Sequence, residues 1–128
     1  MSELHGVIVS HAAVAQALAA AVTAITGIEG ALTAVSNEGC GSDALGERLR
    51  EAVGAGPAVL FVDLPGGSCF TSSARYAKQG GADIAVVTGV NLAMLLDFVF
   101  HREIRPAEAA RRAVEAGGKA IRITPAPQ

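Results

Sequence analysis

His11 closes the apolar run Gly6-Val-Ile-Val-Ser10 and stands directly before a long helical pattern, so its imidazole falls at the carboxyl end of a strand. That edge is where open parallel sheets bind their ligands. A second apolar run, Val59-Leu-Phe-Val62, ends in Asp63 and continues through Leu64-Pro65-Gly66-Gly67-Ser68 into another helical stretch. If Asp63 accepts a hydrogen bond from one ring N–H of His11, the tautomer is fixed and the other ring nitrogen keeps its lone pair outward. Such an imidazole is a neutral nucleophile whose developing positive charge the carboxylate stabilises. Gly66, Gly67 and Ser68 bring bare backbone N–H groups to a helix N-terminus, a seat for an anion such as phosphate. Phosphoryl transfer needs an oriented nucleophile and donors for the equatorial oxygens, and these residues supply both with no metal or cofactor expected. A strand-end histidine points Nδ1 back toward its own structure, so Nε2 is the nitrogen expected to take the group.

The same residues admit plainer readings. Asp63 also fits a cap of the turn before Pro65, and Ser68 an N-cap of the following helix. A serine or cysteine nucleophile at Ser68 or Cys69, with His11 as base, is disfavoured because Gly67-Ser-Cys-Phe70 lacks the second glycine of a nucleophile elbow. A module that binds a ligand in the same crevice without being phosphorylated explains the glycine loop but leaves His11 without a task. The chain also lacks a Gly-x-Gly-x-x-Gly fingerprint. His5 and His101 join no constellation and are expected to be solvated. The Leu92, Met94, Leu95, Leu96 and Phe98 cluster reads as core.

The elements that must position these residues are short β-branched runs alternating with helical runs, the pattern of an α/β fold with a mainly parallel, doubly wound open sheet. Strands are expected at Val7-Ser10, Leu32-Ser36, Ala58-Val62 and Ile84-Thr88. Helices are expected over about Ala13 to Thr26, Ser42 to Val53, Cys69 to Gln79, Leu92 to His101 and Pro106 to Gly118. Ser42-Asp43 has the form of an N-cap, and Pro106 suits a first helical position. Stop signals follow at Gly27 and Gly30, Gly54 and Gly56, Gly80 and Gly81, and Gly117 and Gly118. In the spatial order 2-1-3-4 the crevice opens between the first and third strands, where His11 and Asp63 stand. The alternating run Lys119-Ala-Ile121-Arg-Ile123-Thr124 predicts a further edge strand, paired with its own sheet or with that of a neighbouring subunit.

With 128 residues, 51% of them hydrophobic, the chain suits one domain spanning residues 1–128. The net charge of -2, with no basic stripe, argues against nucleic-acid binding. Cys40 and Cys69 stand too far apart in sequence to suggest a disulfide scaffold or a zinc site. Met1-Ser-Glu-Leu-His5 lacks a basic n-region, and the Ala-rich stretch Ala12 to Ile28 carries Gln16 and two threonines, so a cytoplasmic protein with no inserted segment is expected.

Three blocks, Val7-Ile-Val-Ser-His11, Val62-Asp-Leu-Pro-Gly-Gly-Ser68 and Gly89-Val-Asn-Leu-Ala-Met-Leu95, in this order and spacing, resemble enzyme IIA of the mannose class of the bacterial phosphoenolpyruvate:sugar phosphotransferase system (PTS). The resemblance covers nearly the whole chain. It implies an open α/β sheet, a homodimer that exchanges its last strand, and phosphorylation of His11 by the carrier protein HPr. The phosphoryl group would then pass to a IIB domain and on to incoming sugar. By the same matching Asp63 would orient His11, Ser68 would donate to the phosphoryl group and Asn91 would shape the far wall of the site. Three positions depart from the usual pattern: Ala12 stands where glycine is common, and Cys69 and Ala93 where proline is common. Ala12 and Cys69 border His11 and Ser68, which leaves a regulatory role arguable beside sugar uptake.

Overall fold

The structure is a computed structural model that describes residues 3–79 and 81–127. Four parallel strands, β1 (His5–Ser10), β2 (Leu32–Ser36), β3 (Ala58–Val62) and β4 (Ile84–Thr88), form one sheet in the order β2-β1-β3-β4. Five helices connect and follow them: α1 (Val14–Thr26), α2 (Ser42–Val53), α3 (Gly67–Gln79), α4 (Leu92–Val99) and α5 (Pro106–Lys119). β1 and β3 are buried over nearly their whole length, which is why they read as unbroken apolar runs.

Alternation along the strands divides the core between two faces. Ile8, Val59, Phe61 and Val87 meet residues of α1, α4 and α5, with Phe61 and Phe98 in edge-to-face contact at 5.1 Å. Val7, Val9, Leu60 and Val62 meet α2 and α3 on the other face. A sheet covered on both sides leaves its carboxyl edge as the natural site for polar chemistry.

Several expectations need correcting. β1 begins at His5, whose Nε2 lies 2.6 Å from Thr33 Oγ1 of β2, so this half-buried histidine pairs across two strands and is not simply solvated. His101 is likewise engaged, with Nδ1 2.7 Å from the Asp97 carbonyl and Nε2 2.9 Å from Arg112. The N-cap of α2 is Gly41, and Ser42 is already helical. α4 stops at Val99, two residues early.

Gly27 and Gly54 follow α1 and α2 at positive φ as stop signals should, whereas α5 runs through Gly117 and Gly118 to Lys119. Gly117 is retained for close packing, since a Cβ there would collide with Met94. Gly80 lies outside the described residues. The expected C-terminal edge strand does not form within the chain. α5 absorbs Lys119, the described residues that follow pair with no strand, and Ile121 and Ile123 remain 78% and 71% exposed.

Candidate functional site

Register brings His11 and Asp63 together. Val9 of β1 lies opposite Val62 of β3, and the Asp63 N–H continues the ladder by donating to the Val9 carbonyl at 3.2 Å. The residue after β3 therefore lands beside the turn that leaves β1. There Asp63 Oδ2 accepts from the backbone N–H of His11 and lies 2.9 Å from His11 Nδ1. Both bonds measure 2.9 Å. A carboxylate can only accept, so Nδ1 carries the proton and the Nε2 lone pair is free. Nε2 faces the N-terminus of α3: a Cβ on Gly67 would sit 3.9 Å from it. Gly67 itself takes φ +86, a conformation glycine adopts without strain.

Burial by itself raises the Asp63 carboxyl, but the two hydrogen bonds it accepts from His11 outweigh it and hold the group below the ordinary carboxylate range. Asp63 is thus ionised at neutral pH. The His11 side chain is 42% exposed and that of Asp63 only 16%, so the nucleophile reaches solvent from a shielded counter-charge.

The turn carrying His11 is held by residues that the sequence pattern does not mark. Ser10, fully buried, accepts the Ala15 N–H at 2.7 Å and caps the start of α1, which its own N-cap Ala13 leaves uncapped. Ser36, ending β2, donates to the Ala12 carbonyl at 2.8 Å. Asn37 donates its side-chain amide to Ser68 Oγ at 3.3 Å, linking the loop after β2 to the first turn of α3. A small polar residue closing a buried apolar strand is the only signal that points to Ser10 and Ser36.

Gly66, Gly67 and Ser68 are exposed, and α3 starts at Gly67, so its first N–H groups have no partners within the helix. The Ser68 hydroxyl is engaged by Asn37, and no hydrogen bond joins it to His11 among the described residues. Asn91 does not join this cluster. Its side chain caps α4 through the Met94 N–H and donates to the Gly117 carbonyl, tying α4 to α5. The expected wall residue is thus occupied in holding two helices together. Cys69, by contrast, does join the site: its buried Sγ lies 4.0 Å from His11 Nδ1. Burial, and then the Asp63 charge, raise its thiol above the usual value.

The sequence from residue 6 to residue 115 matches the family model EIIA-man, described as PTS system fructose IIA component. The chain belongs to the EIIA-man family. Solved structures agree on the fold. A phosphotransferase system component EIIA from Streptococcus agalactiae superposes with a TM-score of 0.84 at 21% identity, over 92% of this chain and 95% of that one. The mannose/sorbose specific IIA subunit from Enterococcus faecalis gives 0.80 at 22% identity, over 99% and 98%. A sigma-54 interaction domain protein from Enterococcus faecalis gives 0.73 at 15% identity, over 93% of each chain. No curated protein matches the sequence significantly.

Against the EIIA-man pattern, the departures acquire physical meaning. Ala12 adopts φ +49, a left-handed conformation that suits the glycine common there. Ala93 lies in the first turn of α4, where proline is tolerated but not needed. Cys69, in the first turn of α3, places a buried thiol against His11 where the family pattern commonly has proline. Among the described residues no helix is long and apolar enough to cross a membrane.

Proposed function

We propose that this chain is a PTS phosphocarrier that accepts a phosphoryl group on His11 Nε2 from phospho-HPr and passes it to a IIB domain. The observation that carries this reading is the Asp63 carboxylate on Nδ1, which leaves Nε2 as the basic nitrogen facing the Gly66-Gly67-Ser68 loop. As the donor's P–N bond breaks and the Nε2–P bond forms, the Nδ1 proton stays on its hydrogen bond to Asp63. The charge developing on the ring lies against a carboxylate 2.9 Å away. In this reading the N–H groups that open α3, unpartnered within the helix, receive the transferred oxygens.

Four cavities of 260 to 380 Å³ have neither His11 nor Asp63 in their walls. An open, partly exposed acceptor suits transfer between docked proteins better than enclosure of a small ligand. The protein is placed by this reading in the cytoplasm, serving sugar uptake or its regulation, as a homodimer. The exposed Ile121 and Ile123 support the dimer, because an alternating segment without a partner in its own chain suits the sheet edge of a second copy. Deleting residues 120–128 is expected to convert dimer to monomer by light scattering, and an unchanged mass would count against strand exchange.

Intact-mass spectrometry after incubation with phosphoenolpyruvate, enzyme I and HPr tests the central reading. One acid-labile phosphoryl group per chain is expected, absent in His11→Ala. A folded wild type that takes up none with cognate HPr would overturn it in favour of a binding module that is not phosphorylated.

A further inference from the structure

His11, Asp63 and Cys69 each offer a metal-ligating atom, and the three atoms lie within 4.8 Å of one another. We propose that these residues form a zinc site, and that its occupation competes with phosphorylation of His11. The competition rests on the phosphocarrier reading; the metal site does not. Sequence spacing conceals it, since the ligands lie at positions 11, 63 and 69 and only the strand register gathers them.

The donor set of imidazole nitrogen, carboxylate oxygen and thiolate sulfur matches the preference of a borderline-soft divalent ion. Zn–N and Zn–O bonds of about 2.0 Å and a Zn–S bond of about 2.3 Å in a tetrahedron place ligand atoms roughly 3.3–3.6 Å apart. Nδ1 of His11 lies 2.9 Å from Asp63 Oδ2 and 4.0 Å from Cys69 Sγ, with all three ligand atoms within 4.8 Å, so side-chain adjustments of about an ångström gather them around one ion. Among the described residues Asp63 Oδ1 is buried with no hydrogen-bond partner, leaving a carboxylate oxygen to be satisfied. The partly exposed His11 leaves one coordination position open to water. Burial and the Asp63 charge keep Cys69 as a thiol in the metal-free protein, so the ion's own charge must draw off its proton on binding.

The protons account for the competition. Zinc takes Nδ1 in place of its proton, and Nε2 acquires one, so the imidazole stays neutral. Cys69 loses its thiol proton to solvent, and one proton is released per ion. The resulting Zn²⁺, thiolate and carboxylate sum to zero charge. With Nε2 now carrying hydrogen, the lone pair that attacks phosphorus is gone.

Co²⁺ reports the site spectroscopically, because a thiolate ligand gives a sulfur-to-cobalt charge-transfer band. Titration of the reduced protein is expected to saturate at one equivalent per chain, with the band removed by Zn²⁺. Cys69→Ser, which keeps the side-chain volume, and His11→Ala should each lose the band, and Cys40→Ser should keep it. No band in the wild type, a band that survives Cys69→Ser, or one lost in Cys40→Ser overturns the site. Saturating Zn²⁺ should slow phosphorylation of the wild type by about tenfold or more, and of Cys69→Ser by less than about twofold, each against its own metal-free rate. Equal slowing of both places the effect on enzyme I or HPr and overturns the competition. A wild type that binds cobalt but never accepts a phosphoryl group refutes the phosphocarrier reading and leaves the metal site standing.

Discussion

Asp63 grips His11 twice through a single oxygen, Oδ2, which receives both the backbone N–H and the ring Nδ1–H of that residue at 2.9 Å. One bond fixes where the residue sits and the other fixes the rotation and tautomer of its ring. Asp63→Asn preserves the shape but offers only one acceptor oxygen, and an amide turned the other way presents a donor to Nδ1 and reverses the tautomer. Phosphoryl acceptance by the variant should fall by roughly 10–100-fold, the usual cost of losing an orienting partner. Rapid-quench measurement with phospho-HPr checks this. An undiminished rate would show that the ring is oriented without Asp63.

The same pair makes a prediction about pH. The folded protein holds the Asp63 carboxyl below its ordinary value of 3.8, so the charged form is favoured by folding. Its contribution is fully present above that value and is lost as pH falls through the lowered folded value. The stability difference between wild type and Asp63→Asn should therefore stay level from about pH 7 to 5 and shrink below about pH 4. Urea midpoints across this range measure it, and a difference that persists at pH 3 would mean that shape alone accounts for the effect.

Much of this arrangement was legible in the chain, for reasons that also explain what was not. Strands β2, β3 and β4 stand where the β-branched runs between glycines put them, because buried parallel strands need apolar residues on both faces. The order 2-1-3-4 supposed for such a sheet is the one observed, and the register, which the pattern does not set, brings His11 and Asp63 together. Side-chain assignments at the rim were less visible. Asn91 and Asn37 both follow strands, yet one caps a helix and the other reaches the Ser68 loop, a difference set by which neighbour lies within about 3 Å. The Ile121 and Ile123 alternation was equally plain, but a strand also needs an edge to pair with, and within this chain it finds none.

Ala12 carries the one positive φ among the described non-glycine residues, at +49, with its carbonyl held by Ser36. A left-handed conformation costs an L-residue about 1–2 kcal/mol. Ala12→Gly removes that cost while adding unfolded-state entropy worth about 0.4–1 kcal/mol. The net expectation is a gain of about 0.5–1 kcal/mol and a rise of a few degrees in Tm. Thermal unfolding of the two proteins decides it, and a lower Tm for the glycine variant would show that the turn relies on the methyl group.

Gly117 poses the opposite case, a helical glycine that propensity alone says should be improved by alanine. That substitution is worth about 1 kcal/mol at an exposed interior position. Here the added Cβ would meet Met94 Cγ, lie 2.7 Å from Met94 Cε and stand 3.1 Å from Asn91 Oδ1, the oxygen that caps α4. Overpacking of this kind costs about 1–3 kcal/mol, and disturbing the cap adds to it, so the clash outweighs the propensity. Gly117→Ala should lower stability by about 1–2 kcal/mol net. Met94→Ala also destabilises when made alone, by emptying buried volume, but it clears the space that the new methyl needs. The double variant should therefore be more stable than the sum of the two single losses predicts, by about 0.5 kcal/mol or more. Strict additivity in denaturant unfolding would mean that α5 moves as a whole to admit the methyl and that the contact between Gly117 and Met94 does not set the helix spacing.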